Sequence, residues 1–510
     1  MRPADLLLPL LIAADPAGAQ PPLSAIDWLR QPAPVTVAQP LVRPLGRVPE
    51  SGAVVPDITV TTLERTVPDA AGLLPPATTG LPRDLWTAST SDMLMAQFAR
   101  LGGRPLPAVQ ALYYTLLLAE ADPPADAAGD ARFLRARIAA LRRFGAIDAA
   151  LALIEGAGPE TPALFADWLD LALLTGTEDA PCRALAARPD LSQSYAARVF
   201  CTARAGDWTT AALTYEVAAA LGVLDAHEAA LLGGFLDSES VGNPTAGLAP
   251  PRAMTPLIFR LYEATGAPLP TGNLPREYAV ADLRGTMGWK AEIEAAERLA
   301  RTGAMPANRL LGIYTDRRAA ASGGVWDRVR AIHDVDAAIT AGDADAIAAA
   351  LPGAWTLMRD NRLAVAFAAL YGSRLAGRDL PPRVAGLAYE VALLTPGDAP
   401  VVPPPPGQTR RLRFLDSLAR GAPDATLAIT PTERAIAAAF AATAPADDHA
   451  GPLAQGRLGQ ALLSAAAQLQ DIRPGQTRQL QDALATLCAA GLAEVAREAA
   501  LQILLLEERT

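Results

Sequence analysis

From Ser91 onward, apolar and polar positions follow a helical period, and glycine interrupts it at recurring intervals. The segment "TSDMLMAQFARL" opens with Ser91 or Asp92 as an N-cap and sets Met93, Met95, Phe98 and Leu101 at irregular helical spacing. The phrases "RRFGAIDAALALI", "LLTGTEDAPCRAL" and "ARAGDWTTAALTY" each place a small residue one turn after a glycine: Gly145 and Ala149, Gly176 and Ala180, Gly206 and Ala211. The phrase returns at Gly303 and Ala307, at Gly342 and Ala346, and at Gly491 and Ala496. A glycine there supplies the left-handed turn that ends one helix, and the alanine lets the next helix approach the first. Repetition every ~30 to 35 residues predicts an all-α array of helical hairpins.

On these residues the chain resembles tetratricopeptide-like repeat proteins over about 130–350, although most Trp, Leu and Tyr positions of the strict repeat are absent. The resemblance implies a TPR-like α-α solenoid; a bundle of unrelated helical hairpins is the alternative. Residues 20–88 differ, because dense proline removes amide donors and excludes long helices. They are expected to form a Pro-rich, mostly irregular arm, with one short strand over Asp57–Glu64. Its Trp28, Leu73, Leu74, Leu81 and Trp86 are expected to pack on the helical body. The solenoid is expected over 89–394, broken by a loop between Ser238 and Pro256. A polyproline connector follows over 395–410, then a C-terminal helical region over 411–510.

Composition sharpens this picture. The chain is 51% hydrophobic but only 5% aromatic, so alanine and leucine fill most of the interior. Its net charge of −10, with no dense Lys/Arg stripe, argues against nucleic acid and against an anionic membrane surface as partners. Arg2, the apolar stretch Leu6 to Ala14, and Ala17-Gly18-Ala19 match a signal peptide over 1–19, cleaved after Ala19. No later stretch has the ~20 apolar residues that span a bilayer. The expected location is periplasmic or secreted.

Candidate chemistry is sparse. Cys182 and Cys201 lie on two helices either side of Pro189, and Asp190 or Ser192 can cap the second. In an oxidising compartment such a pair defaults to a disulfide. Buried free thiols are the alternative, and metal or redox use lacks a CxxC or His cluster. Cys488 is expected to be an unpaired core residue. His227, His333 and His449 are far apart and are expected on helix surfaces or at caps. Glu239-Ser240 is a partial likeness to the catalytic Glu-Ser motif of soluble lytic transglycosylases, lacking the aromatic residue and the Met-Gln that follow it there. The chain also resembles a loosely defined set of uncharacterised, Ala-rich helical-repeat secreted bacterial proteins, some labelled antifreeze-like, although its threonines keep no 11-residue period.

No catalytic, cofactor-binding or metal-ligating set emerges. These features together imply a non-catalytic scaffold or adaptor that binds a protein partner in the cell envelope. A glycan-active enzyme using Glu239 and a purely structural Ala-rich protein are the alternatives.

Overall fold

The structure is a computed structural model that describes residues 67–237, 243–249, 251, 253–397, 403–407, 409–470, 472–473 and 475–506. The signal sequence, Trp28 and the strand expected over Asp57–Glu64 lie outside them, as does Glu239-Ser240. The described residues belong to one unit, Arg65–Thr510. They form α-helices with short 3-10 turns and no β-strand; one isolated bridge pairs Leu74 with Ala119.

The glycine punctuation is physical. Gly145, Gly176, Gly206, Gly303, Gly342 and Gly491 all adopt positive φ. At Gly145 (φ 81°) the left-handed turn ends helix Arg132–Phe144, and helix Ile147–Gly156 begins two residues later. A Cβ there would also lie 2.6 Å from the Leu299 side chain, so glycine serves the turn and the close packing together. Asp207 and Asp343 then cap the helices that follow two of these turns, by accepting from Thr210 N and Ala346 N.

Two expected caps move. Ser91 is the first residue of helix Ser91–Arg100, and its N–H and hydroxyl both donate to Asp126, 35 residues away. A carboxylate from a neighbouring loop therefore does the work assigned to a local side chain. After Pro189, the cap of helix Tyr195–Arg204 is Ser194, which accepts from Ala197 N, rather than Asp190 or Ser192. The 3-10 turn Pro189–Leu191 displaces the helix start by a few residues.

Successive helices pack on each other, as Tyr195–Arg204 does on Trp208–Ala220 and Val325–Ala341 on Ala344–Asp360. Contacts also join elements far apart in sequence. Helix Pro107–Leu118 packs against Leu458–Gln470 and Ala493–Leu506, and the amide of Ala108 donates to the buried side chain of Gln502 at 2.9 Å. A stack in which each repeat touches only its neighbours has no such contact. Within this unit, early and late helices clasp, and one continuous apolar core runs from Leu81 to Leu505.

The described end of the arm belongs to that clasp. Trp86 is fully buried between Phe98 and Phe133, with ring centroids at 5.7 and 5.9 Å, and Leu81 is buried nearby. Leu73 is an exception at 38% exposed. Buried Arg137 holds the segment down by donating to the carbonyls of Ala71, Leu117 and Ala119 at 2.7 to 3.0 Å. The described residues between Leu236 and Pro256 are non-helical, as are those between Leu394 and Thr409. No helix is long and apolar enough to cross a membrane among the described residues.

Candidate functional site

Cys182 and Cys201 are joined by a disulfide, with Cα atoms 4.9 Å apart. The bond links helix Asp179–Ala187 to helix Tyr195–Arg204 within the apolar core, and Cys488 is free. The histidines do not converge. His227 lies beside the N-cap Asp225, and His333 donates from Nε2 to the Tyr314 carbonyl at 2.9 Å. His449 departs from the expected surface or cap position: it is 1% exposed, between Ser464 (3.2 Å) and Thr486 (3.1 Å). The Thr486 hydroxyl gives its proton to the Asp482 carbonyl, so it accepts from His449 Nδ1–H and leaves Nε2 as an acceptor. Burial lowers the imidazole pKa, against the opposing charges of Asp448 and Asp482. This histidine is a satisfied, neutral core residue.

Trp355 is buried against Phe367, and Trp326 packs on Trp289. Trp208 stays half exposed although it touches Phe235. It opens an apolar face. Helix Trp208–Ala220 buries only Ala211 and Ala218, while Leu213, Val217 and Leu221 share one side at four-residue spacing and are each more than half exposed. Val223 extends the strip. Half of the large apolar side chains exposed among the described residues fall within this short segment, and Glu216 is its single charge between Trp208 and Leu224.

A second feature was invisible in the sequence. Arg104, Arg276, Arg298, Arg301 and Arg362 line one open cavity of about 310 Å³, with Asp360 as its single carboxylate. They come from the loop before Pro107, a 3-10 turn, the end of helix Trp289–Ala300, and the turn after helix Ala344–Asp360. Three are fixed from behind by carbonyl oxygens. Arg298 donates to Thr271 O at 2.8 Å and to Leu274 O; Arg276 donates to Arg143 O at 3.0 Å; Arg301 donates to Asn361 O at 2.8 Å. A carbonyl anchor orients a guanidinium without cancelling its charge.

Compensation is correspondingly thin. Arg301 pairs with Glu297 at 3.0 Å, but Arg328 already holds that carboxylate through both oxygens, at 2.6 and 2.7 Å. Asp360 pairs with Arg359. Among the described residues, Arg104, Arg276, Arg298 and Arg362 form no ion pair, and the buried Nε–H of Arg276 has no acceptor. Burial first, aided by the fields of neighbouring arginines and opposed by Tyr114 at Arg276 and Asp282 at Arg298, holds the guanidinium pKa values of Arg276, Arg298 and Arg362 below the usual arginine range. Arg362 also sits at φ 59°, a left-handed conformation that ordinarily favours glycine.

Arg104, Arg301 and Arg362 extend into an adjoining cavity of about 290 Å³. Its other walls combine the apolar side chains of Leu106, Val365, Leu469, Ile472, Ile503 and Leu506 with Arg359, Gln470 and Gln502. This groove lies where the loop before Pro107, the start of helix Ala364–Leu375, and the ends of helices Leu458–Gln470 and Ala493–Leu506 meet. The clasp between early and late helices therefore builds it. A further cavity beside Arg301 is closer to neutral, because Glu294 and Glu297 offset two of the three cations there, Lys290, Arg301 and Arg328. Among the described residues, no group of three His, Cys, Asp or Glu side chains is placed to hold a metal ion. Comparison with family models, curated proteins and solved structures finds no match.

Proposed function

We propose that this chain is an exported, non-catalytic scaffold or adaptor of the cell envelope, which binds a protein partner through a surface of TPR-like helical hairpins. The strip from Trp208 to Val223 carries this reading. Contiguous exposed apolar surface costs solubility, and a helix apolar on nearly all sides is ordinarily covered. Hairpin arrays present such surfaces to partners, with specificity supplied by whatever lies beside the apolar anchors. The disulfide fits a periplasmic or secreted location, since such bonds persist in oxidising compartments.

Two measurements test the proposal. The chain exported by a bacterial host should begin at Gln20; retention of Met1 in a cytoplasmic pool removes the envelope location. Affinity capture from the envelope fraction should recover a protein that the Leu213→Asp/Val217→Asp double variant fails to recover while keeping its helical circular dichroism. Equal recovery by both proteins, or recovery of nothing by either, overturns this surface as the docking site.

A further inference from the structure

The arginine-lined chamber shares no residue with the Trp208–Val223 strip. We propose that the chamber and the groove beside it form one site for an amphipathic phosphate, the phosphate held by the arginines and a short hydrocarbon chain lying in the groove. The head is assigned by charge and by geometry. Five guanidiniums facing one carboxylate leave a net positive cavity in a chain whose overall charge is −10. The planar fork of arginine matches phosphate oxygens, and a doubly charged oxyanion has acceptors enough for several forks at once. Arg298, Arg276 and Arg301 are already held in place by carbonyls, so little is left to order on binding. Arg276 offers a buried donor that has no acceptor.

The side chains of Arg104 and Arg362 make no hydrogen bond among the described residues, which leaves them free to close over a bound head group. The tail is assigned by continuity. The same two arginines, with Arg301, border the groove walled by Leu106, Val365, Leu469, Ile472, Ile503 and Leu506. Each cavity lies near the lower end of the range for small-ligand sites, so a single short chain fits better than a folded polypeptide segment. The chain's overall charge of −10 disfavours anions at long range, so recognition depends on close contact.

Isothermal titration of the full chain with n-octyl phosphate, inorganic phosphate, octanoate and n-octyl glucoside tests the assignment. Octyl phosphate should bind saturably and at least about tenfold more tightly than inorganic phosphate or octanoate, and the glucoside should give no heat. The Arg104→Gln/Arg362→Gly variant should lose at least about tenfold in octyl phosphate affinity without a fall in melting temperature, because glycine relieves the left-handed strain. Val365→Asp should remove the advantage of octyl phosphate over inorganic phosphate and leave inorganic phosphate binding unchanged. Unaltered affinity in the arginine variant, equal binding of octanoate, or no saturable heat with octyl phosphate would each overturn the proposal. Phosphatidate-containing vesicles separate the sources. Co-sedimentation that depends on Arg104 and Arg362 supports a lipid head group, and tight octyl phosphate binding without co-sedimentation supports a soluble ester.

Discussion

Single residues here answer to demands that local sequence rarely displays. His449 looks like a surface histidine in "ADDHAGP", yet it is enclosed by Ser464 and Thr486 with both ring nitrogens used. Because burial holds its folded pKa below the ordinary 6.5, the unfolded chain takes up its proton first as pH falls. Stability contributed by this residue is therefore intact above about pH 6.5 and declines below it, by at most about 1.4 kcal/mol per pH unit for one proton. Denaturant midpoints measured between pH 7.5 and pH 5 should fall more steeply for the natural chain than for His449→Gln. Parallel curves would show that the imidazole does not titrate on unfolding. The five chamber arginines illustrate the same limit. Arg298 and Arg301 are close in sequence, but Arg104, Arg276 and Arg362 reach them only through the tertiary fold. Charge counted along the chain shows no basic stripe, whereas charge placed in space shows a basic cavity.

Elements were far more legible. A helix that ends on glycine writes its stop into the sequence, because positive φ is a local demand. Gly145, Gly206 and Gly342 thus mark real turns. Caps were less legible, since a terminus accepts any nearby oxygen: Asp126 serves Ser91 across 35 residues, and Ser194 takes the place of Ser192. The two thiols were readable as a geometric possibility because Pro189 fixes the corner between their helices. Their bond closes a loop with a sequence separation of 19 and should contribute about 3 kcal/mol through lost freedom of the unfolded chain. Reduction, or Cys182→Ala/Cys201→Ala, should lower the guanidinium midpoint accordingly, with circular dichroism at low denaturant unchanged. A midpoint unmoved by reductant would show that packing alone fixes this hairpin.

At the scale of the whole unit, repetition in the sequence implied neighbour-to-neighbour stacking but gave no hint of closure. Closure depends on tight surfaces that carry no repeat signature. Gly459 donates its amide to Leu85 O at 3.2 Å, and a Cβ there would stand 2.4 Å from the Trp86 ring. Gly459→Ala should force that ring or helix Leu458–Gln470 to move, costing about 1–3 kcal/mol. A lower thermal midpoint, with faster proteolysis near residues 85–90, is the expected result. A midpoint equal to that of the natural chain would mean that the ring has room to retreat. Leu469, on the same helix as Gly459, walls the amphiphile groove, so the substitution should also weaken octyl phosphate binding.

The clasp has a mechanical consequence. An open array pulled from its two ends extends like a spring, each hairpin sharing the strain. In this unit, tension entering near residue 85 passes through Ala108 and Gln502 to the last helix and bypasses the hairpins between them. Those hairpins stay slack until the clasp shears, and only then does the long middle of the chain feel the pull.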